Sequence, residues 1–167
     1  YYCLKFNINL KINIYIEYKN HHMSFLNTNY NKCALVIGIN YTGIQGAELN
    51  GCITDTERIS NFLVDRCNYT NNSIDILTDD TLLKPTKQNI LNAIKKFVQK
   101  IKEEDIREAW FSYSGHGSYL NNNSVGDEQD NQDEALVPLD YSNSGLIRDD
   151  DLYNLMVKMI PKTCTLF

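Results

Sequence analysis

Glu108-Ala-Trp-Phe-Ser-Tyr-Ser-Gly-His-Gly117 is the stretch on which the fold turns. Ala109, Trp110, Phe111 and Tyr113 suit a pleated, half-buried surface, so 108–113 reads as a strand. Immediately beyond it stands His116 between two glycines. Glycine permits unusual backbone angles and the close approach of another chain. Imidazole is the side chain whose ordinary pKa lies nearest neutrality, which suits general acid–base work. A Gly-His-Gly by itself carries little, because a loop histidine bonded to a carbonyl looks the same. The surrounding pattern decides.

Upstream, Ala34-Leu-Val-Ile-Gly-Ile39 is a continuous apolar run, as in a buried strand of a parallel sheet. Residues 54–66 place Ile59, Phe62 and Leu63 at helical spacing, with Thr54 or Asp55 as candidate caps. Ile74–Leu77 reads as a second strand. Thr86 with Asn89, after Pro85, opens a helix through Ile90, Ile94, Phe97, Val98 and Ile101. Downstream, 115–133 reads as a polar loop, 135–139 as extended, 149–159 as a helix and 163–167 as the start of another strand. Strand and helix alternate, which predicts an α/β fold: a mostly parallel sheet with helices on its faces. Working residues of such sheets lie at the carboxyl ends of strands. That rule points to 40–46 and 114–117.

A chain of 167 residues suits one domain with a proper core. The net charge of -5 speaks against a nucleic-acid binder, which shows a basic face, and against a surface that seeks anionic lipid. There is no secretory apolar region and no uncharged run long enough for a membrane span. The five cysteines are odd in number and form no C-x-x-C pair. Thiols in a reducing cytosol are therefore expected, and with them a cytoplasmic location. Residues 1–32 stand apart as an N-terminal extension. Leu4, Phe6, Ile8, Leu10, Ile12, Ile14, Ile16 and Tyr18 alternate with mostly polar residues, as in a leading strand. Met23 as the true start, with translated upstream sequence before it, is the other reading. Residues 33–167 form the domain. A nucleotide site built on Gly38, Gly43 and Gly46 is a weak alternative, since their spacing fits neither G-x-G-x-x-G nor a P-loop.

Five segments in order resemble the type I metacaspases, caspase-like cysteine peptidases of family C14. Ala34–Tyr41 resembles their first strand. Glu48-Leu-Asn-Gly-Cys-Ile-Thr-Asp55 resembles their E/Q-L-x-G-C-x-N-D segment, with Thr54 in place of the usual Asn. Phe111–Gly117 resembles their histidine motif, Asp133–Tyr141 their D-E-x-I-x-P-x-D-F/Y, and Ile147–Asp151 their I-x-D-D-E/D. The resemblance covers about 33–167 and implies a caspase–haemoglobinase fold with a Cys–His dyad. His116 would be the catalytic histidine, and the Gly117 amide would stabilise the oxyanion. Cleavage after Arg or Lys is implied, so the partners would be protein or peptide substrates with a basic P1 residue. Asp55 would line the pocket for that residue, as would Ser114. Ca²⁺ dependence is implied too, with Asp133, Asp149 and Asp150 as ligands. Asp127, Glu128, Asp130, Glu134 and Asp151 belong to the same acidic stretches, which could equally be solvated charge.

The family's D-x-C-H-S-G nucleophile motif does not occur within these 167 residues. It would follow the strand at 163–167, and Cys164 stands several residues too early on that strand to replace it. The expectation is a truncated peptidase domain, inactive by itself and left with an exposed sheet edge that favours poor solubility. An inactive caspase-like homologue with a binding or regulatory role is the alternative.

Overall fold

A computed structural model describes residues 31–121 and 132–167. The alternating extension before residue 31 lies outside the described residues, as do Asp127, Glu128 and Asp130. The elements run β1 (Lys32–Gly38), α1 (Cys52–Cys67), β2 (Ile74–Thr78), α2 (Lys87–Glu103) and β3 (Glu108–Ser114). β4 (Gly117–Asn121), β5 (Gln132–Leu136), α3 (Tyr141–Ser144), β6 (Ile147–Arg148), α4 (Asp149–Leu155) and β7 (Thr165–Leu166) follow. β2, β1, β3 and β7 pair in that order, all parallel. The expected mostly parallel sheet flanked by helices is present.

β1 organises the core because successive side chains of a strand point to opposite faces. Cys33, Leu35, Ile37 and Ile39 pack with Ile90, Ile94, Phe97, Val98 and Ile101, the apolar stripe of α2. Ala34 and Val36 pack with Leu63 and Tyr69, and Ile59 and Trp110 join them on the α1 face. Gly38 falls on that second face, where β1 and α1 come closest. A β-carbon there would lie 2.1 Å from Thr56 Oγ1 and 2.5 Å from the Cys52 carbonyl oxygen.

Three expectations need correction. The stretch 115–133 is not a loop throughout: β4 and β5 pair antiparallel across it, and β6 joins β5 to make a second, three-stranded sheet. The polar composition of β4 hid this pair, and β5 shows apolar residues only at its buried end, Ala135 and Leu136. Neither Thr54 nor Asp55 caps α1. The helix begins at Cys52 after Gly51, whose φ of 117° suits glycine, and Asn40 Oδ1 accepts the Cys52 amide at 3.0 Å. The cap thus comes from twelve residues upstream. The helix from Asp149 ends at Leu155, with a short 3₁₀ turn at Val157–Met159 after it. At α2 the expected cap is found, Thr86 Oγ1 accepting the Asn89 amide at 3.3 Å.

Candidate active site

β1 and β3 end side by side. Gly38 pairs with Ser114, and the Ile39 amide donates to the Ser114 carbonyl at 2.9 Å. Two connections leave this edge, one running from Ile39 to α1, the other through Gly115 and His116 into β4. The first folds on itself: Ile44 donates to Tyr41, Ala47 to Ile44 and Leu49 to Asn40, all through the backbone at 2.8–3.0 Å. Gly43 and Gly46 take positive φ in these turns, and the Gly43 amide donates to Glu48 Oε1. The Gly43, Ile44, Ala47 and Leu49 amides are thus engaged inside the loop, which speaks against the nucleotide reading.

The loop turns the Ala47 carbonyl towards the half-buried His116, whose Nε2 lies 2.8 Å from it. A carbonyl only accepts, so Nε2 carries the proton; in the neutral ring Nδ1 then holds the lone pair. The Tyr41 ring lies beside the imidazole, with centroids 4.7 Å apart.

The backbone of His116 is held in an unusual way. The Val137 amide donates to the His116 carbonyl at 3.2 Å, as an antiparallel ladder requires. The reciprocal bond is replaced by a hydroxyl. The His116 amide donates to Tyr41 Oη at 3.0 Å, and Tyr41 Oη donates to the Val137 carbonyl at 2.6 Å. Tyr113 Oη stands 3.0 Å from that of Tyr41 and within 3.1 Å of the Val137 and His116 carbonyls. Burial pushes both phenols well up, so they are neutral at physiological pH. Gly115 leaves room for this clasp, since a β-carbon on it would meet Tyr113 Oη at 2.7 Å.

Gly117 pairs with Leu136, one step beyond the His116–Val137 level. Pairs alternate along an antiparallel ladder, so 117–136 is the non-hydrogen-bonded kind and the Gly117 amide points away from β5. That amide is directed outwards next to the imidazole.

Asp55 sits in the first turn of α1, one residue before Thr56, which packs on Gly38. Its side chain is 25% exposed and faces Arg58 at 3.7 Å, a weak surface pairing. Asp55 and Ser114 thus belong to the same end of the sheet as His116. Asp149 and Asp150 open α4 with the exposed Asp151, and the Asp150 amide donates to Asp149 Oδ1 at 2.8 Å. Acidic side chains are favoured at such a helix start. β5 pairs Ala135 with Arg148 and Leu136 with Ile147, so β6 runs directly into the helix that Asp149 and Asp150 open. Among the described residues no cluster of three candidate ligands forms. The donor set is all carboxylate, which is the chemistry that suits Ca²⁺.

None of the described cysteines is built as a nucleophile for His116. Cys33 is buried in β1, and burial pushes its thiol up to about 12. Cys52 is buried in the core. Cys67 closes α1. Cys164 precedes β7, which pairs with Glu108 and Ala109 at the amino end of β3, and burial raises its thiol as well. Six residues of β3 separate that level from Ser114, roughly 20 Å at the rise of a strand.

Two residues of the site escaped the sequence reading. Tyr41 lay in a segment singled out by the strand-end rule, but nothing marked its hydroxyl. Asp79, just past β2, accepts the Asn40 and Thr42 amides and had no signal at all.

The family described as metacaspase, peptidase C14 domain, matches residues 32–167. The chain is 40% identical over 145 residues to Metacaspase-1 of Debaryomyces hansenii, covering 85% of this chain and 32% of that protein. It is 44% identical over 128 residues to Metacaspase-1A of Neurospora crassa, covering 75% and 27%. With Metacaspase-1 of Cryptococcus neoformans it shares 43% over 138 residues, covering 81% and 29%. The chain therefore spans about a third of the length of the curated relatives it matches.

Proposed function

The chain belongs to the metacaspase family, as a peptidase C14 domain, and from that membership we propose that it supplies the histidine half of a Cys–His endopeptidase. The observation that carries the reading is the Nε2–Ala47 hydrogen bond of 2.8 Å at the carboxyl end of the sheet. It fixes the ring and leaves Nδ1 as the base. In the proposed reaction Nδ1 takes the proton of a thiol, and the resulting sulfur attacks the scissile carbonyl. The Gly117 amide donates to the oxyanion that forms. The C–N bond then breaks, the imidazolium returns its proton to the leaving amine, and an acyl-enzyme remains for water to hydrolyse. The thiol is assigned to none of the described cysteines, because none of them is placed for the role.

Substrates in this reading are proteins or peptides with Arg or Lys at P1. The partly buried carboxylate of Asp55 would pair that cation and Ser114 would line the same pocket. Asp133, Asp149 and Asp150 would hold Ca²⁺, which supplies positive charge to order the acidic segment. No described helix is long and apolar enough to cross a membrane. Cys33, Cys67 and Cys164 are free thiols, which accords with a cytoplasmic setting.

A fluorogenic Arg-peptide assay with Ca²⁺ tests the reading. Turnover is expected from the full-length protein, lost in His116→Ala and absent from the 167-residue chain alone. Turnover by the chain alone, abolished by His116→Ala, would show that one of its own cysteines serves. A folded full-length protein that cleaves nothing would favour a binding or regulatory role.

A further inference from the structure

Tyr41 has φ of 55°, in the left-handed region. A residue with a side chain stays there only where its surroundings over-determine it, and such strain gathers at functional sites. The surroundings here are specific. Asp79, 7% exposed, accepts the Asn40 amide on Oδ2 at 2.7 Å and the Thr42 amide on Oδ1 at 3.0 Å. One carboxylate therefore grips the chain on both sides of Tyr41. Asn40 is committed by its own side chain to the start of α1. Tyr41 itself is fully buried, with its ring edge-on to Tyr141 at 6.4 Å.

The consequence falls on His116. The Tyr41 hydroxyl occupies the missing rung between the His116 amide and the Val137 carbonyl. Its ring stands beside the imidazole, and the same loop delivers the Ala47 carbonyl to Nε2. Backbone, ring plane and tautomer of His116 all depend on a loop whose strained residue Asp79 pins. We infer that Asp79 and Tyr41 are positioning residues that set the orientation and tautomer of His116. The inference rests on the peptidase reading only for its catalytic consequence. Tyr41 and Asp79 touch no substrate and transfer no proton; they act through His116.

The test has two arms. On the ¹⁵N-labelled 167-residue chain, the His116 ring nitrogens are assigned with His116→Ala. They are then compared in Tyr41→Phe, Asp79→Asn and Tyr69→Phe, the last a buried tyrosine on the opposite face of the sheet. The wild type is expected to hold the Nε2–H tautomer. Tyr41→Phe and Asp79→Asn are expected to move the ring nitrogens towards tautomer-averaged shifts, while Tyr69→Phe leaves them in place. Wild-type ring shifts in folded Tyr41→Phe and Asp79→Asn overturn the inference. Asp79→Asn keeps the Tyr41 hydroxyl and decides alone if Tyr41→Phe does not fold. In the full-length protein, kcat is expected to fall about 10- to 100-fold in both variants with KM little changed. A raised KM with kcat kept overturns the inference too. A full-length protein without turnover ends the peptidase reading, and the ring shifts still decide the positioning role.

Discussion

His116 is held from both sides: through Nε2 by a carbonyl and through its own backbone by two tyrosine hydroxyls. Its place at the end of β3 is local information, since an aromatic strand followed by Gly-His-Gly can be read from neighbouring residues. Its supports are not local. Tyr41 is 75 residues away in sequence and Ala47 is 69. Asp79 reaches the Tyr41 loop across 37 and 39 residues, and no period or motif announces such contacts. Gly38 gives a prediction at this scale. Alanine there would place its β-carbon against Thr56 Oγ1 and the Cys52 carbonyl, and the latter is backbone that cannot rotate away. Gly38→Ala should cost about 3 kcal/mol or more, read as a lowered thermal midpoint. A midpoint equal to wild type would contradict the close approach. Asp55→Asn should lower kcat/KM for Arg substrates of the full-length protein by roughly 30-fold, the worth of a charged hydrogen bond of about 2 kcal/mol. Equal kinetics in the two would remove Asp55 from the specificity pocket.

The elements were legible in proportion to their burial. β1 and α2 show continuous and helical apolar order because each buries a whole face or stripe. β4 does not, because its pairing with β5 leaves no apolar order in its own sequence, and β5 shows such order only at its buried end, Ala135 and Leu136. The start of α1 is not marked in the helix sequence, because its cap, Asn40, lies on the preceding loop. α2 provides the check at this scale. Phe97 is 2% exposed and packs in the larger core cluster. Phe97→Ala should destabilise by about 3–5 kcal/mol in urea titration. A cost below about 1 kcal/mol would mean that α2 does not seal the sheet. Exposed Lys96, one position away, should tolerate alanine within about 0.5 kcal/mol.

At the scale of the molecule, one sheet carries a core on each face and delivers its strand ends to one edge, where the candidate site lies. That much follows from the order of elements. The acidic stretches did not resolve into a site from sequence, because carboxylates at a helix start serve the helix as readily as a metal. If Asp133, Asp149 and Asp150 hold Ca²⁺, a chelator should abolish activity of the full-length protein and added Ca²⁺ restore it; activity indifferent to chelation would refute that. Buried acids set the alkaline limit of the fold. Cys33 is pushed from 9.0 to about 12, so its thiol is protonated in both folded and unfolded chains below pH 9. Its contribution is complete there and is lost as pH rises from 9 towards 12, where the unfolded chain releases the proton first. Tyr41, Tyr69 and Tyr113, raised from 10.0, act in the same direction. The thermal midpoint should hold between about pH 7 and 8.5 and fall steadily above, less steeply in Cys33→Ala. A midpoint unchanged up to about pH 11 would contradict the burial of these groups. The central claim is the role of His116, and the most direct measurement is turnover of an Arg-containing fluorogenic peptide by the full-length protein and by His116→Ala. Loss of about 10³-fold or more in kcat, with the variant still folded, is the predicted result; turnover retained in the folded variant would contradict it.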